Sequence, residues 1–135
     1  MYVPLIKNPY LSVVIPAYNE AERIPGTLVD IDYKLEKAKF SYEILVVNGG
    51  SRDTTADVVN QMAKTIKNLK LVNFSDNRGK GAVVRDGMRI ARGEIRLFTD
   101  ADNSTSIDHF FQMIPHFSQG FDVVICSRTH KESHL

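Results

Sequence analysis

Two carboxylates one residue apart, Asp100 and Asp102, close an apolar run that begins at Ile95. In extended backbone alternate side chains share a face, so both carboxylates can turn to one centre. Paired hard oxygens suit Mg²⁺ or Mn²⁺ that takes its other ligands from phosphate oxygens. The same stretch also reads as a turn and helix cap, because the Asp, Asn and Ser residues over 102–106 are good N-caps ahead of Ile107. Gly79-Lys80-Gly81 opens a helical stretch, where free N–H groups and a lysine charge attract phosphate. A connecting loop with a solvated lysine is the competing reading. This is not a Walker A loop, since Gly81 stands where that loop needs Ser or Thr. No G-x-G-x-x-G dinucleotide fingerprint is present either.

Other reactive types carry less. Arg85, Arg89 and Arg92 share one helical face and read as a solvated surface. His109, His116, His130 and His134 lack metal-ligand spacing and read as surface or tail. Cys126, the single cysteine, excludes an internal disulfide and a Cys-based zinc cluster, and is expected as a small core residue. No Ser-His-Asp or Cys-His arrangement is suggested. A net charge of +1 with pI about 7.9 argues against a dedicated nucleic-acid binder.

Elements must bring the polar residues together. The chain has 135 residues, 43% hydrophobic and 24% charged, enough for one packed domain. Apolar runs at Leu11–Pro16, Tyr42–Val47, Leu69–Phe74, Ile95–Thr99 and Phe121–Cys126 predict five strands. Helical periodicity predicts helices over Glu20–Lys37, Asp53–Lys67, Lys80–Arg92 and Ser106–Phe117. Pro25 is tolerated in the first turn of the first of these, and Gly93 ends the third. This alternation predicts an α/β fold, a mostly parallel sheet with helices on both faces. Residues 1–10 read as an arm and 129–135 as a tail. No apolar run approaches membrane-spanning length, and no basic segment followed by an apolar stretch opens the chain, so no signal peptide is expected.

Ligands of such sheets bind beyond the carboxyl ends of the strands. There the sequence gathers Tyr18, Asn19 and Glu20; Asn48 to Ser51 with Asp53; Asn77 to Lys80; Asp100 and Asp102; Ser127 and Arg128. One edge carries acids, amides, glycines and bases together.

These motifs resemble glycosyltransferase family 2. Ser12-Val-Val-Ile-Pro-Ala-Tyr-Asn-Glu20 is similar to the family's opening strand, and Val46-Val-Asn-Gly-Gly-Ser-Arg-Asp53 to its V-V-D-D-G-S-x-D segment. Asn77-Arg-Gly-Lys-Gly-Ala82 resembles its N-x-G-K-G-x helix opening, and Phe98-Thr-Asp-Ala-Asp102 its metal-binding DxD. Asp122-Val-Val-Ile-Cys-Ser-Arg128 is similar to the D-V-V-I-G-S-R of the dolichyl-phosphate glucose and mannose synthase branch.

The resemblance implies a Rossmann-like GT-A nucleotide-sugar-binding domain over 11–128. It implies that Pro16, Tyr18 and Glu20 line the nucleoside pocket, with Asn48 in the place of a base-contacting aspartate. Lys80 is then expected near that pocket or its phosphates. Asp100 and Asp102 are expected to hold Mg²⁺ or Mn²⁺ on the diphosphate, and Arg128 to meet the acceptor's phosphate. Asp102 and Arg128 are thereby the expected catalytic residues.

Three departures from the pattern stand out: Asn48-Gly49 replaces an aspartate pair, Ser104 a glutamine common in this branch, and Cys126 a glycine. The implied reaction moves a glucose- or mannose-type sugar from a UDP- or GDP-sugar to a polyprenyl or dolichyl phosphate, with inversion. The acceptor phosphate is already ionised, so no general base is expected. The resemblance further implies a longer protein working at the cytoplasmic membrane face, of which this chain is the donor half. It touches membrane only peripherally or through further segments, and no nucleic acid. A non-catalytic nucleotide-sugar-binding module is the alternative. A sugar-1-phosphate nucleotidyltransferase is disfavoured, because Ala17-Tyr18-Asn19-Glu20 is not its glycine- and arginine-rich loop.

Overall fold

A computed structural model describes residues 8–127. Eight elements follow in the order β1 (Leu11–Ala17), α1 (Ile24–Glu36), β2 (Tyr42–Gly49), α2 (Thr55–Met62), β3 (Leu69–Phe74), α3 (Lys80–Ile90), β4 (Ile95–Phe98) and α4 (Asp108–Ser118). The chain divides into two compact units between Ser104 and Thr105. The first holds the sheet and α1–α3, the second α4.

In the first unit the four strands are parallel, in the order β3-β2-β1-β4. β1 is apolar without alternation because it is central and covered on both faces; all seven of its residues are buried. Its register pairs Val13 with Ile44, Val14 with Leu45 and Pro16 with Val47. One face therefore presents Val14, Leu45 and Val47, which pack with Val83 and Ala91 along the α3 segment. The opposite face presents Val13, Ile15, Ile44 and Val46, all fully buried. Right-handed crossovers put α1 and α2, which touch each other, over that second face. α1 brings Ile24, Leu28, Ile31 and Leu35 at helical spacing. Helices thus cover both faces of a parallel sheet, as the sequence pattern predicts.

α3 sits unusually close to the sheet. A Cβ placed on Gly87 would lie 2.6 Å from Val14 Cγ1 and 2.8 Å from Val47 Cγ2. Only the missing side chain allows that approach. At the far end of α3, the Ser12 hydroxyl donates to Glu43 Oε2 at 2.5 Å and accepts from the Gly93 N–H at 2.7 Å. The Arg92 N–H donates to the same Glu43 oxygen at 2.8 Å. A buried carboxylate is thereby satisfied, and the exit of α3 is fastened to β1 and β2. Gly93 is needed here for contact rather than as the helix stop: a Cβ would fall 2.5 Å from the Ser12 backbone nitrogen. The helix has already ended at Ile90, with Ala91 extended at ψ 143°.

Other boundaries shift. α1 begins at Ile24 rather than Glu20, leaving Glu20 in the preceding loop with Pro25 in the first turn. α2 stops at Met62, and Ile66 is buried in the turn beyond it. Pro9 and Tyr10, expected in an arm, are tied to the sheet: Pro9 O accepts from the Glu94 N–H at 3.1 Å and Tyr10 O from the Ile95 N–H at 2.9 Å.

In the second unit, α4 carries Pro115 inside it, and the Phe110 and Phe111 rings meet edge to face. The expected fifth strand, Phe121–Cys126, does not form. Val123 and Ile125 are each 78% exposed, and Cys126 is exposed rather than in a core. A β-prone run becomes a strand only when a neighbouring edge accepts its backbone, and composition carries no information about that edge. The 129–135 tail lies outside the described residues, as do His130 and His134.

These contacts separate the glycines by sign. Gly87→Ala and Gly93→Ala should each destabilise by about 1–3 kcal/mol through overpacking. Gly26→Ala, in α1 with nothing within 4 Å of the new Cβ, should stabilise by up to about 1 kcal/mol. Urea unfolding of the three variants checks this.

Candidate functional site

Beyond the carboxyl ends of β1, β2 and β4, a cavity of about 380 Å³ opens on the α3 face of the sheet. Pro16, Tyr18, Glu20, Lys80, Asp100 and Asp102 line it, with Gly49, Asn77, Gly79, Ala101 and Val83 between them. Six residues singled out in the sequence, from the end of β1 and the loop after it, the start of α3 and the loop after β4, thus share one hollow. Strand alternation explains the choice of face. Pro16 continues the Ser12–Val14 side of β1, and Val14 registers with Phe98, two residues before Asp100.

Asn48 is the exception. It registers with Ala17 on β1 and Asn73 on β3, one step out of phase with the cavity side. Its side chain is buried and does not line the cavity: Nδ2 donates to Asn73 Oδ1 at 2.7 Å, and Oδ1 accepts from the Ser51 hydroxyl. The period-2 geometry of β2 presents Gly49 to the cavity instead. Arg128 lies outside the described residues.

Asn48 opens a network that fixes the β1–α1 loop. Ser51 Oγ accepts from the Asn19 N–H at 2.9 Å, and Asn19 Oδ1 accepts from the Arg52 N–H at 2.9 Å. Asn19 sits at φ 53°, a left-handed conformation that asparagine tolerates. The Glu20 N–H donates to Thr55 Oγ1 at 3.0 Å, and the Ala21 N–H to Asp53 Oδ2 at 3.2 Å. Asp53 Oδ1 accepts from the Thr55 N–H at 2.9 Å and from the Thr55 hydroxyl. That hydroxyl, with backbone donors, holds the Asp53 carboxyl below the usual carboxylate range. Tyr18 and Glu20 are therefore set in place by residues facing away from the cavity.

The Asp100–Asp102 turn is pinned from α1. The Thr27 hydroxyl donates to the Ala101 carbonyl at 2.6 Å, and Asn103 Nδ2 donates to Asp30 Oδ2 at 3.1 Å. Asp102 Oδ1 accepts from the Ser104 N–H at 3.0 Å, so the turn reading of this residue also holds. Bonds from the Ser104 backbone and hydroxyl, with the Arg23 charge added, keep the Asp102 carboxyl ionised below its ordinary range.

Three carboxylates in one cavity need counter-charge. Lys80 Nζ meets Asp100 Oδ1 at 2.5 Å. Arg23 forks onto Glu20 at 2.6 and 2.7 Å and reaches Asp102 Oδ2 at 4.0 Å. Among the described residues, no three His, Cys, Asp or Glu side chains gather to enclose a metal ion. The donor set is all oxygen, from two half-exposed carboxylates facing a cavity. That fits a hard divalent cation that completes its shell with ligand phosphates and water, and it does not fit a closed structural site.

Sequence reasoning missed Arg23 and Thr27. Thr27 left a signal: it is a hydroxyl set within the apolar stripe of α1, beside Ile24 and Leu28. Arg23 left none beyond its place next to the helix start. The stripe of Arg85, Arg89 and Arg92 is exposed, as expected.

The sequence model of Glycosyl transferase family 2 matches residues 12–135. A dolichyl-phosphate beta-glucosyltransferase of Trichomonas vaginalis is 45% identical over 79% of this chain and 36% of its own length. The dolichyl-phosphate beta-glucosyltransferase of Dictyostelium discoideum is 40% identical over 93% of this chain and 42% of its own. This chain thus spans about two-fifths of these relatives. Among solved structures, a Pyrobaculum calidifontis mannosyltransferase in complex with GDP-Man and Mn²⁺ superposes with TM-score 0.61 at 34% identity, over 71% of this chain and 28% of that one. S. aureus TarS in complex with UDP gives 0.62 at 27% identity, over 78% and 32%. The fold is that of GT-A glycosyltransferases.

Two substitutions test this scaffold. Thr27→Val keeps shape but removes the bond to Ala101, and should cost about 1 kcal/mol in urea unfolding. Asp53→Ala should lower the urea midpoint at pH 7. Because the folded-state pKa of Asp53 is depressed, its contribution is present at neutral pH and lost as pH falls through that value. The gap between wild type and Asp53→Ala should therefore close in acid.

Proposed function

This chain belongs to Glycosyl transferase family 2, and from that premise we propose that its cavity binds the donor of a sugar transfer, a UDP- or GDP-sugar, with Mg²⁺ or Mn²⁺. The observation that carries the reading is the meeting of Asp100, Asp102 and Lys80 at one cavity mouth. Tyr18 offers a half-exposed ring and Pro16 an apolar wall for the nucleoside, with Glu20 at the edge. Gly49 adds no side chain to that wall, and Val83 packs close over it.

The relatives named above support the transfer itself. In this reading the whole protein passes a glucose- or mannose-type sugar to a polyprenyl or dolichyl phosphate at the cytoplasmic face of a membrane. Asp100 and Asp102 would hold the divalent cation, which when bound neutralises charge growing on the departing diphosphate. Lys80 orients the same phosphates. The acceptor phosphate is an ionised nucleophile near pH 7, so the site needs no proton acceptor for it. Direct displacement inverts the anomeric carbon. Arg128, seven residues from the end of the sequence, is assigned to the acceptor phosphate on the family resemblance.

Calorimetric titration tests the donor site. UDP-glucose and GDP-mannose should bind at least about tenfold more tightly with Mn²⁺ than in EDTA, and ADP-glucose more weakly than either. Asp102→Ala should remove most of the metal-dependent gain while the far-UV circular dichroism stays unchanged. Equal affinity with and without metal overturns the reading.

A further inference from the structure

The entrance of the cavity is built against helix electrostatics. Peptide dipoles make a helix N-terminus positive, and acidic side chains are the ordinary residents of a first turn. α1 and α3 both have a first turn without an acidic residue. Each instead carries a cation at its start: Arg23 immediately before Ile24, and Lys80 as the first residue of α3. Both side chains are about 60% exposed, so burial does not hold them there. What holds them is the acid set of the cavity, with Lys80 on Asp100 and Arg23 forked on Glu20 and extended toward Asp102.

We propose that Arg23 is an unassigned residue of this site and that, with Lys80, it forms a pair of exchangeable counter-ions. The pair rests on the carboxylates when cation and diphosphate are absent, and turns onto the diphosphate when a divalent cation takes Asp100 and Asp102. This rests on the donor-site reading above. The exchange is energetically open. The exposed Lys80–Asp100 pair is worth at most about fivefold in an equilibrium constant, and Arg23 stands 4.0 Å from Asp102 while its fork rests on Glu20, so both aspartate contacts yield to a dication that meets the two carboxylates. The Nη1 edge of Arg23, freed from Asp102 while the fork stays on Glu20, offers N–H donors to a phosphate oxygen, and the released ammonium of Lys80 is a compact point charge. Both remain at helix N-termini, whose partial positive charge now favours the anion. Cation and diphosphate therefore bind with positive coupling, because each removes the partner that opposes the other. Glu20 keeps its place through the Thr55 bond to its backbone N–H, so the loop does not depend on Arg23.

The test uses two probes, Mn²⁺ alone and inorganic pyrophosphate in saturating Mn²⁺, read by electron paramagnetic resonance and calorimetry on the full chain. Arg23→Met and Lys80→Met are compared with wild type, with Lys64→Met as the control for net charge, its amine lying on Gln61 far along the sequence from the site. Each site variant should bind Mn²⁺ alone about three- to fivefold more tightly, and pyrophosphate about tenfold more weakly. Arg23→Lys should restore Mn²⁺ affinity to the wild-type value and pyrophosphate affinity only in part. A merely structural role for Arg23 would weaken both ligands together and lower the thermal midpoint. That result overturns the proposal, as does an unchanged Mn²⁺ affinity. Opposite movement of the two affinities sustains it even if no nucleotide sugar binds, so failure of the donor reading is seen separately.

Discussion

The site depends on how close α3 can come to the sheet. Gly87 lies against Val14 and Val47 with no room for a single added carbon. That contact fixes the height of the helix above β1 and β2. Height in turn fixes where the N-terminus of α3 emerges, and there Lys80 meets Asp100 from β4's exit. The opposite end of the same segment is held by the buried Ser12–Glu43 pair and the backbone of Arg92 and Gly93. A helix clamped at its middle and its exit leaves its entrance little freedom. A cation and a carboxylate on different elements are thereby held at hydrogen-bonding distance without being buried.

Support for the cavity comes largely from residues that do not touch it. Ser51, Asp53 and Thr55 bond the β1–α1 loop from the side facing away, Asn48 holds the Ser51 hydroxyl, and Thr27 bonds the Ala101 carbonyl from α1. Ser51, Asp53, Thr55 and Thr27 each use a short polar side chain to satisfy a loop backbone group, the ordinary requirement for irregular chain near a core. The consequence is chemical. Glu20, Asp100 and Asp102 are kept near one another although like charges repel, and Arg23 and Lys80 supply the balancing charge. A surface with acids and bases already paired is poised to exchange partners, because replacing one exposed pair by another costs little.

The chain belongs to the family and departs from its motif pattern in one detail that the structure explains. The V-V-N-G-G-S segment resembles one in which paired aspartates stand at positions 48 and 49. In this chain position 48 is a buried amide that donates to Asn73 and accepts from Ser51, and position 49 is bare backbone on the cavity wall. An amide can do both at once, whereas a carboxylate only accepts. Asn48 is thus suited to bridging β2, β3 and the following loop.

The sequence by itself determined the order and kind of the elements. Apolar runs without alternation at Leu11–Pro16 and Tyr42–Val47 required a sheet covered on both faces, and the helical spacing of Ile24, Leu28, Ile31 and Leu35 required a crossover helix. From these, the strand ends were already the place to look, and Pro16, Tyr18, Glu20, Lys80, Asp100 and Asp102 were legible there. The tertiary structure alone decided which face each strand end turns to the cavity, and so excluded the Asn48 side chain, because one residue of register reverses a side chain. It alone brought in Arg23 and Thr27, whose partners are 79 and 74 residues away in the chain (Asp102 and Ala101). It also left Phe121–Cys126 without a partner strand. Local pattern records how a segment would like to pack, but not which other segment arrives to meet it. Hydrogen bonds and ion pairs between distant loops exist only once the sheet and α3 have set the distances.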